Sequence, residues 1–415
     1  MATRHARKGV PQGFWEMGLA AAAVAAALLI VAVCIGASLA EAASGVQDTA
    51  PSENDIIRAQ LDALDTAALE DFLHDVDRSM QEFFPGLDLA GMIRSPRDAA
   101  GRLDAGKIAS GVLGLVASEV KASLSLLGQL IVLGVMCSVL SEFASGLGAE
   151  HVTGIARAAC FMVLAVMATN SFLVASRVAS AAVERMTTFV HSATPLLFAL
   201  LAATGGVTSA AVMSPAVVAA AGATSGLVNN LVFPLIFLSA VLEITSMITE
   251  RVQLTRLAAL LRDGSVATLG GFMTLFVGVM TVRGVGAAVA DTVSIRAAKF
   301  VSGTFIPVVG KMFADAVGMV ASCSALIQSG LTVAGLLAVF MICLVPATKI
   351  FSVAAMYKVA SAIVQPMGDE QLTRCLGALG NTLVMILVAL GVSAFAFFAA
   401  ISVISGLTNL AAALR

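Results

Sequence analysis

The chain has 415 residues, 59% of them hydrophobic and 12% charged, with a formal net charge of −2 and a mean hydropathy of +0.97. Soluble domains carry roughly 25% charged residues, so this composition is that of an integral membrane protein, and near-neutral charge without a basic tract excludes a nucleic-acid binder. The six cysteines, Cys34, Cys137, Cys160, Cys323, Cys343 and Cys375, have no CxxC spacing and mostly lie in apolar stretches, the pattern of small buried hydrophobes rather than of disulfides or a zinc site.

At the N-terminus, Arg4, Arg7 and Lys8 precede an apolar run from Met17 to Ala40 that ends in Ser38-Leu39-Ala40 before Glu41. That layout predicts a signal peptide or a retained N-terminal anchor over residues 1–40; either reading puts the residues after Ala40 outside the cytoplasm. Residues 41–105 are acidic and punctuated by Pro51, Pro85 and Pro96, which predicts a small extracytoplasmic helical region. Within it, Ile57, Leu61, Leu64, Leu69, Phe72, Leu73 and Val76 recur at helical spacing over Asp55 to Met80, with Asn54 or Asp55 as the cap. So short a region holds little core of its own, so it is expected to dock on a partner or on the membrane domain.

Residues 106–415 form the polytopic membrane domain. Runs of about 20 apolar residues cross a bilayer, and spans are predicted near 123–141, 155–175, 194–213, 225–248, 265–282, 329–347 and 379–405. Four charged pieces between them, Ser176 to His191, Glu250 to Asp263, Arg283 to Lys299 and Lys349 to Arg374, are predicted to lie in the interface as amphipathic helices. Seven crossings from an outside N-terminal region would leave Arg415 in the cytoplasm. The fold class is therefore an all-α polytopic membrane protein of about seven transmembrane helices, with amphipathic or re-entrant helices besides.

Signals for catalysis are thin. The histidines are His5, His74, His151 and His191, with no HExxH and no metal-ligand spacing, and no Walker or dinucleotide loop occurs. No cofactor and no enzymatic activity are expected. In GATSG, Gly222 and Gly226 form a GxxxG pair suited to close helix approach. The better candidates are polar groups inside apolar sequence, which cost several kcal/mol unless satisfied: Asn170, Asn229 and Asn230 before Pro234, Glu243, and Lys311 with Asp315. The last two sit in a stretch broken by Pro307 and loosened by Gly310, expected to be a re-entrant element lining a polar cavity or meeting a partner. A segment around Pro195 echoes the one around Pro307, each placing proline shortly after Phe-Val.

The block FIPVVGKMFADAVGMV at Phe305 to Val320, followed by SCSALI, and the block ATPLLFALLAATGGVTSAAVMSPAV at Ala193 to Val217 resemble the two distinctive blocks of the stage III sporulation protein AE family. The resemblance extends over the whole chain. It implies a permease-like membrane subunit of the channel, or feeding-tube, apparatus that links mother cell and forespore and supports late forespore gene expression. It also implies a place in the mother-cell membrane around the forespore. Its implied partners are the other stage III sporulation A operon proteins (a secretion-type ATPase, small membrane subunits and ring-forming proteins) and, through them, stage II sporulation protein Q, besides the lipid bilayer. The family supplies no catalytic residue to transfer. The candidate conduit or subunit-interface residues are then Pro307, Gly310, Lys311, Asp315, Pro195, Asn229, Asn230 and Glu243. The alternative is a stand-alone secondary transporter, with the proline-broken segments around a midplane site.

Overall fold

The computed structural model describes residues 67–85, 89, 91, 105–146, 150–248, 254–305, 309–367 and 370–413, and among them all regular structure is helical. In chain order the helices are α1 (Ala67–Met80), α2 (Ala105–Gly146), α3 (Glu150–Ala203), α4 (Val207–Leu227), a wide π-helical turn (Val228–Val232), α5 (Phe233–Ile248), α6 (Thr255–Phe305), α7 (Val309–Val364), a single 3₁₀ turn (Gln365–Met367) and α8 (Glu370–Ala413). The signal or anchor segment, the first part of the expected Asp55–Met80 helix and its cap fall outside the described residues.

Helices α2, α3, α6, α7 and α8 run to 42, 54, 51, 56 and 44 residues. At 1.5 Å per residue the longest exceed 80 Å, more than twice the roughly 30 Å hydrocarbon core. Six helical stretches are long and apolar enough to cross a membrane: Ile108–Leu140, Ala158–Ala203, Val207–Met247, Thr255–Ser294, Gly318–Val364 and Glu370–Leu407. Among the described residues six therefore replace the expected seven. The expected span 194–213 does not exist as one helix, because α3 ends at Ala203 and the chain turns at Thr204–Gly206 before α4. Gly205 takes φ 93° there, a left-handed conformation that glycine adopts without a Cβ penalty.

The charged pieces expected to lie in the interface are instead parts of the long helices. Residues 176–191 continue α3, 283–299 continue α6, and 349–374 run from the end of α7 into α8. Of the piece 250–263, residues 255–263 open α6. Charge does not end these helices because several of the charged groups, Arg262 and Lys358 among them, find partners on neighbouring helices.

The core is centred on α7 and α8. In the most apolar window of α7, 78% of the residues are buried inside the protein, against 22% for α2 and for α6. Helix α7 packs on α8, α2 and α3, whereas α6 packs on α5, α4 and α8, so α2 and α6 occupy opposite flanks. Phe189, Tyr357 and Phe397, all fully buried, are among the largest side chains of the interior.

Helix α1 docks on α3 and α7. Its Leu69, Leu73, Val76 and Met80 recur every three or four residues and are buried. Each such side chain contributes about 1.5–3 kcal/mol on burial. Phe72 stacks obliquely on Phe189 at 5.4 Å between centroids. Asp77 accepts two hydrogen bonds from the Leu89 amide, at 3.2 and 3.0 Å. Phe84 lies so close to α2 that a Cβ on Gly111 would stand 2.5 Å from its ring, which is why glycine occupies that position.

Candidate functional site: a polar layer near one end of the bundle

Among the described side chains, the charged and amide groups singled out from sequence do not gather at one point. Glu243, near the end of α5, forms an ion pair with Arg262 of α6 at 2.9 Å, both side chains half-buried. The short α5–α6 connection brings the two helices together, and Ser239, one turn before Glu243, donates to the Ala258 carbonyl of α6 at 2.8 Å. Arg262 Nε is buried without a hydrogen-bond partner among the described residues.

Four more contacts lie at the same end of the bundle. Tyr357 of α7 shares a hydrogen bond with Ser171 of α3 at 2.9 Å. Lys358 donates to the amide oxygen of Asn381 on α8. Ser361 donates to the Thr373 carbonyl at 2.8 Å, and Gln371 donates to the Met247 carbonyl at the end of α5. Side chains from α3, α5, α6, α7 and α8 thus form a polar layer across the lower part of the bundle. Beside it a small cavity is lined by Phe172, Phe237, Ile244, Tyr357, Thr382 and Leu383, mostly apolar groups. A layer of this kind fixes which helix faces meet, since misaligned packing would strand buried polar atoms.

Asn229 and Asn230 fall inside the π-helical turn between α4 and α5. Such turns carry one extra residue and recur at functional positions. Asn229 Nδ2 contacts Ser225 Oγ at 3.4 Å while its Oδ1 is buried without a partner among the described residues; Asn230 is exposed on the outer face. Among the described residues the GxxxG pair next to it meets no neighbouring helix: a Cβ on Gly222 would meet nothing within 4 Å, and one on Gly226 only Asn230 Nδ2 at 3.9 Å.

Pro195 is exposed on α3, which continues through it to Ala203. Proline lacks the N–H that would bond the carbonyl four residues back, here that of His191, whose ring Nε2 lies 3.3 Å from the Val218 carbonyl of α4. On the described side of the second proline segment, α6 runs to Phe305 and α7 starts at Val309. Pro307 itself lies outside the described residues; of the re-entrant element expected around it, residues 300–305 close α6 and 309–318 open α7. Gly310, Lys311 and Asp315 lie in the first two turns of α7.

Sequence reasoning missed a second polar contact at the opposite end. Asp291 of α6, 3% exposed, accepts hydrogen bonds from the Thr208 and Ser209 amides at 2.7 and 2.9 Å. It caps the first turn of α4, whose own preceding residue, Gly206, has no side chain to do so. Gln328 was also missed: its amide is buried in α7 with neither polar atom partnered among the described residues. No apolar periodicity marks either residue; the signal available was a polar residue within an apolar helix, the criterion that found Glu243. No group of three or more metal-ligating side chains occurs among the described residues.

A family model described as stage III sporulation protein AE matches residues 87–408. Stage III sporulation protein AE of Bacillus subtilis (strain 168) is 40% identical over 292 residues, covering 70% of this chain and 73% of that protein. No solved structure matches.

Proposed function

Because the chain belongs to the stage III sporulation protein AE family and has a role in sporulation, we propose that it is a non-enzymatic, permease-like membrane subunit of the channel apparatus between mother cell and forespore. In this reading it sits in the mother-cell membrane around the forespore and supports late forespore gene expression. Its partners are the secretion-type ATPase, the small membrane subunits and the ring-forming proteins of the stage III sporulation A operon, and through them stage II sporulation protein Q. The observation that carries the reading is the family match across nearly the whole membrane domain, joined to a bundle of helices far longer than a bilayer requires. A subunit bridging membrane and soluble partners needs such reach. A carrier acting alone would place charged groups around a cavity a solute can enter; here the cavity beside the polar layer is small and mostly apolar.

The test is made in a sporulating host carrying a C-terminally tagged chain. The Lys311→Ala/Asp315→Ala double variant, and separately a deletion of Phe305 to Asp315, are followed by microscopy, by capture of the operon proteins and by a late forespore reporter. Retained localisation and capture with loss of reporter expression would put the segment on the transport path. Loss of capture would make it an assembly surface. Normal reporter expression in the double variant would remove the polar-cavity role, and a purified chain that alone moves a solute under an ion gradient would overturn the subunit reading.

A further inference from the structure

The two flanks of the bundle carry apolar belts at different heights. Phe172 meets Phe237 and His191 meets Val218, which sets α3 antiparallel to the α4–α5 helix in one register. Asp291 meets Thr208 and Ser209, and Ser239 meets Ala258, which does the same for α6. The charge-free stretch of α6, residues 264–282, therefore stands beside about 174–192 of α3. Helix α3 has two charge-free stretches, 158–176 between Arg157 and Arg177 and 186–203 beyond Arg185, and α2 carries its own at 122–141. The 158–176 stretch and the α6 belt are staggered by about 16 residues, or ~24 Å, most of a hydrocarbon thickness. One flat bilayer cannot wrap both.

The other helices decide which belt is in lipid. The stretches 207–242 of α4–α5, 316–348 of α7 and 376–414 of α8 lack charged residues. Gly335 of α7 lies against Phe189 of α3 and Ile401 of α8, which centres the α8 stretch on the α6 belt and sets the α7 stretch across it, displaced by about nine residues. At that height α6 turns Val266, Leu275 and Val282 outward, and Leu275 is 65% exposed. The α2–α3 flank is out of phase with this bilayer in two independent ways. Within the hydrocarbon layer its α3 stripe exposes Arg177, Glu184 and Arg185, and the acidic helix α1 docks there through Phe72 and Phe189. Below it, level with the charged Glu243–Arg262 region, it exposes Val132, Met136, Met162 and Val166, the last at 70%. Charges at membrane depth face protein or water, and an exposed apolar patch beyond the lipid marks an interface.

We propose that the α2–α3 flank is a homotypic interface, covered by the same flank of a second copy of this chain about a two-fold axis along the bundle. Such an axis keeps every residue at its own height, so each copy's Val132, Met136, Met162 and Val166 meet their equivalents. Glu184 and Arg185, adjacent and of opposite sign, are complementary to themselves across that axis, and this argues for a second copy over an unlike partner.

The experiment uses the full-length chain in bacterial membranes, produced as two differently tagged copies and carrying a photo-crosslinking residue in place of Ala181, which is exposed on the same stripe. Self-adducts from position 181, and none from the same residue placed at Leu275 on the α6 flank, are expected. Glu184→Arg alone and Arg185→Glu alone should each lower self-capture by about tenfold, the scale of like charges meeting at an interface. Mixing the two variants should restore capture between them, a result that a misfolded variant could not give. Adducts from position 181 only to lipid or only to an unlike protein, charge variants without effect on self-capture, or failure of the mixture to restore it would each overturn the proposal.

Discussion

Single side chains in this bundle are held by partners far away in sequence. Arg262 lies 19 positions from Glu243, and Asp291 lies 83 from Thr208. Replacing Glu243 by Gln, or Arg262 by Met, leaves the other charge half-buried without its counter-ion and is expected to cost about 1–3 kcal/mol. The double replacement should cost less than the sum, read as thermal unfolding in detergent. Gly111→Leu should cost about 1–3 kcal/mol by overpacking against Phe84. Its signature is faster proteolysis in the segment between α1 and α2, with the rest of the bundle resistant. Glu243 was legible from sequence because a charge in an apolar run stands out, but its partner was not. Arg262 read as one of several charges on a surface helix, and only the α5–α6 connection turns it inward.

At the scale of elements, Asp291 and the π-helical turn make different demands. Asp291→Ala removes the anionic cap from α4 and is expected to cost about 1–2 kcal/mol. Amide exchange should rise at residues 207–212 and not in α7. Deleting Asn230 should convert the wide turn to ordinary α-helix and leave Phe237, Ser239 and Glu243 on their present faces, because the extra residue is absorbed within the turn. Deleting Ala219 from regular helix should rotate one flank against the other and break the Glu243–Arg262 pair. Exchange protection of α5 separates the outcomes: retained in the first deletion, lost in the second. Sequence located the apolar helices well, since their composition permits nothing else in a bilayer. It misjudged their ends, because windows of about 20 residues were closed at charges that continuous helices of 51 to 56 residues in fact carry through, as α6 and α7 do. It also placed one span across Thr204–Gly206, where Gly205-Gly206 gives the stop signal.

For the molecule as a whole, the proposed bilayer height makes the outward face of α6 the lipid-facing wall. Leu275→Arg, near the centre of its charge-free stretch, should lower membrane insertion by about 2.5–3.5 kcal/mol. Val166→Arg, on α3 below the bilayer, should leave insertion unchanged and weaken self-capture instead. Glycosylation-reporter insertion assays on the two variants check the pair. None of this height difference was visible in the sequence, where each apolar run looks like an independent crossing. It emerges once contacts such as Phe172 with Phe237 and Asp291 with Thr208 set the helices in register.

The docking of α1 also sets an order of events in time. Its apolar face closes against α3 and α7, yet α7 begins about 230 residues after α1 ends, and translation proceeds at roughly 5–20 residues per second. For about ten seconds or more on each synthesis, Leu69, Leu73 and Val76 wait without their full complement of neighbours. During that interval the segment is open to proteases and chaperones, and its disappearance from their reach marks the moment at which the bundle has closed.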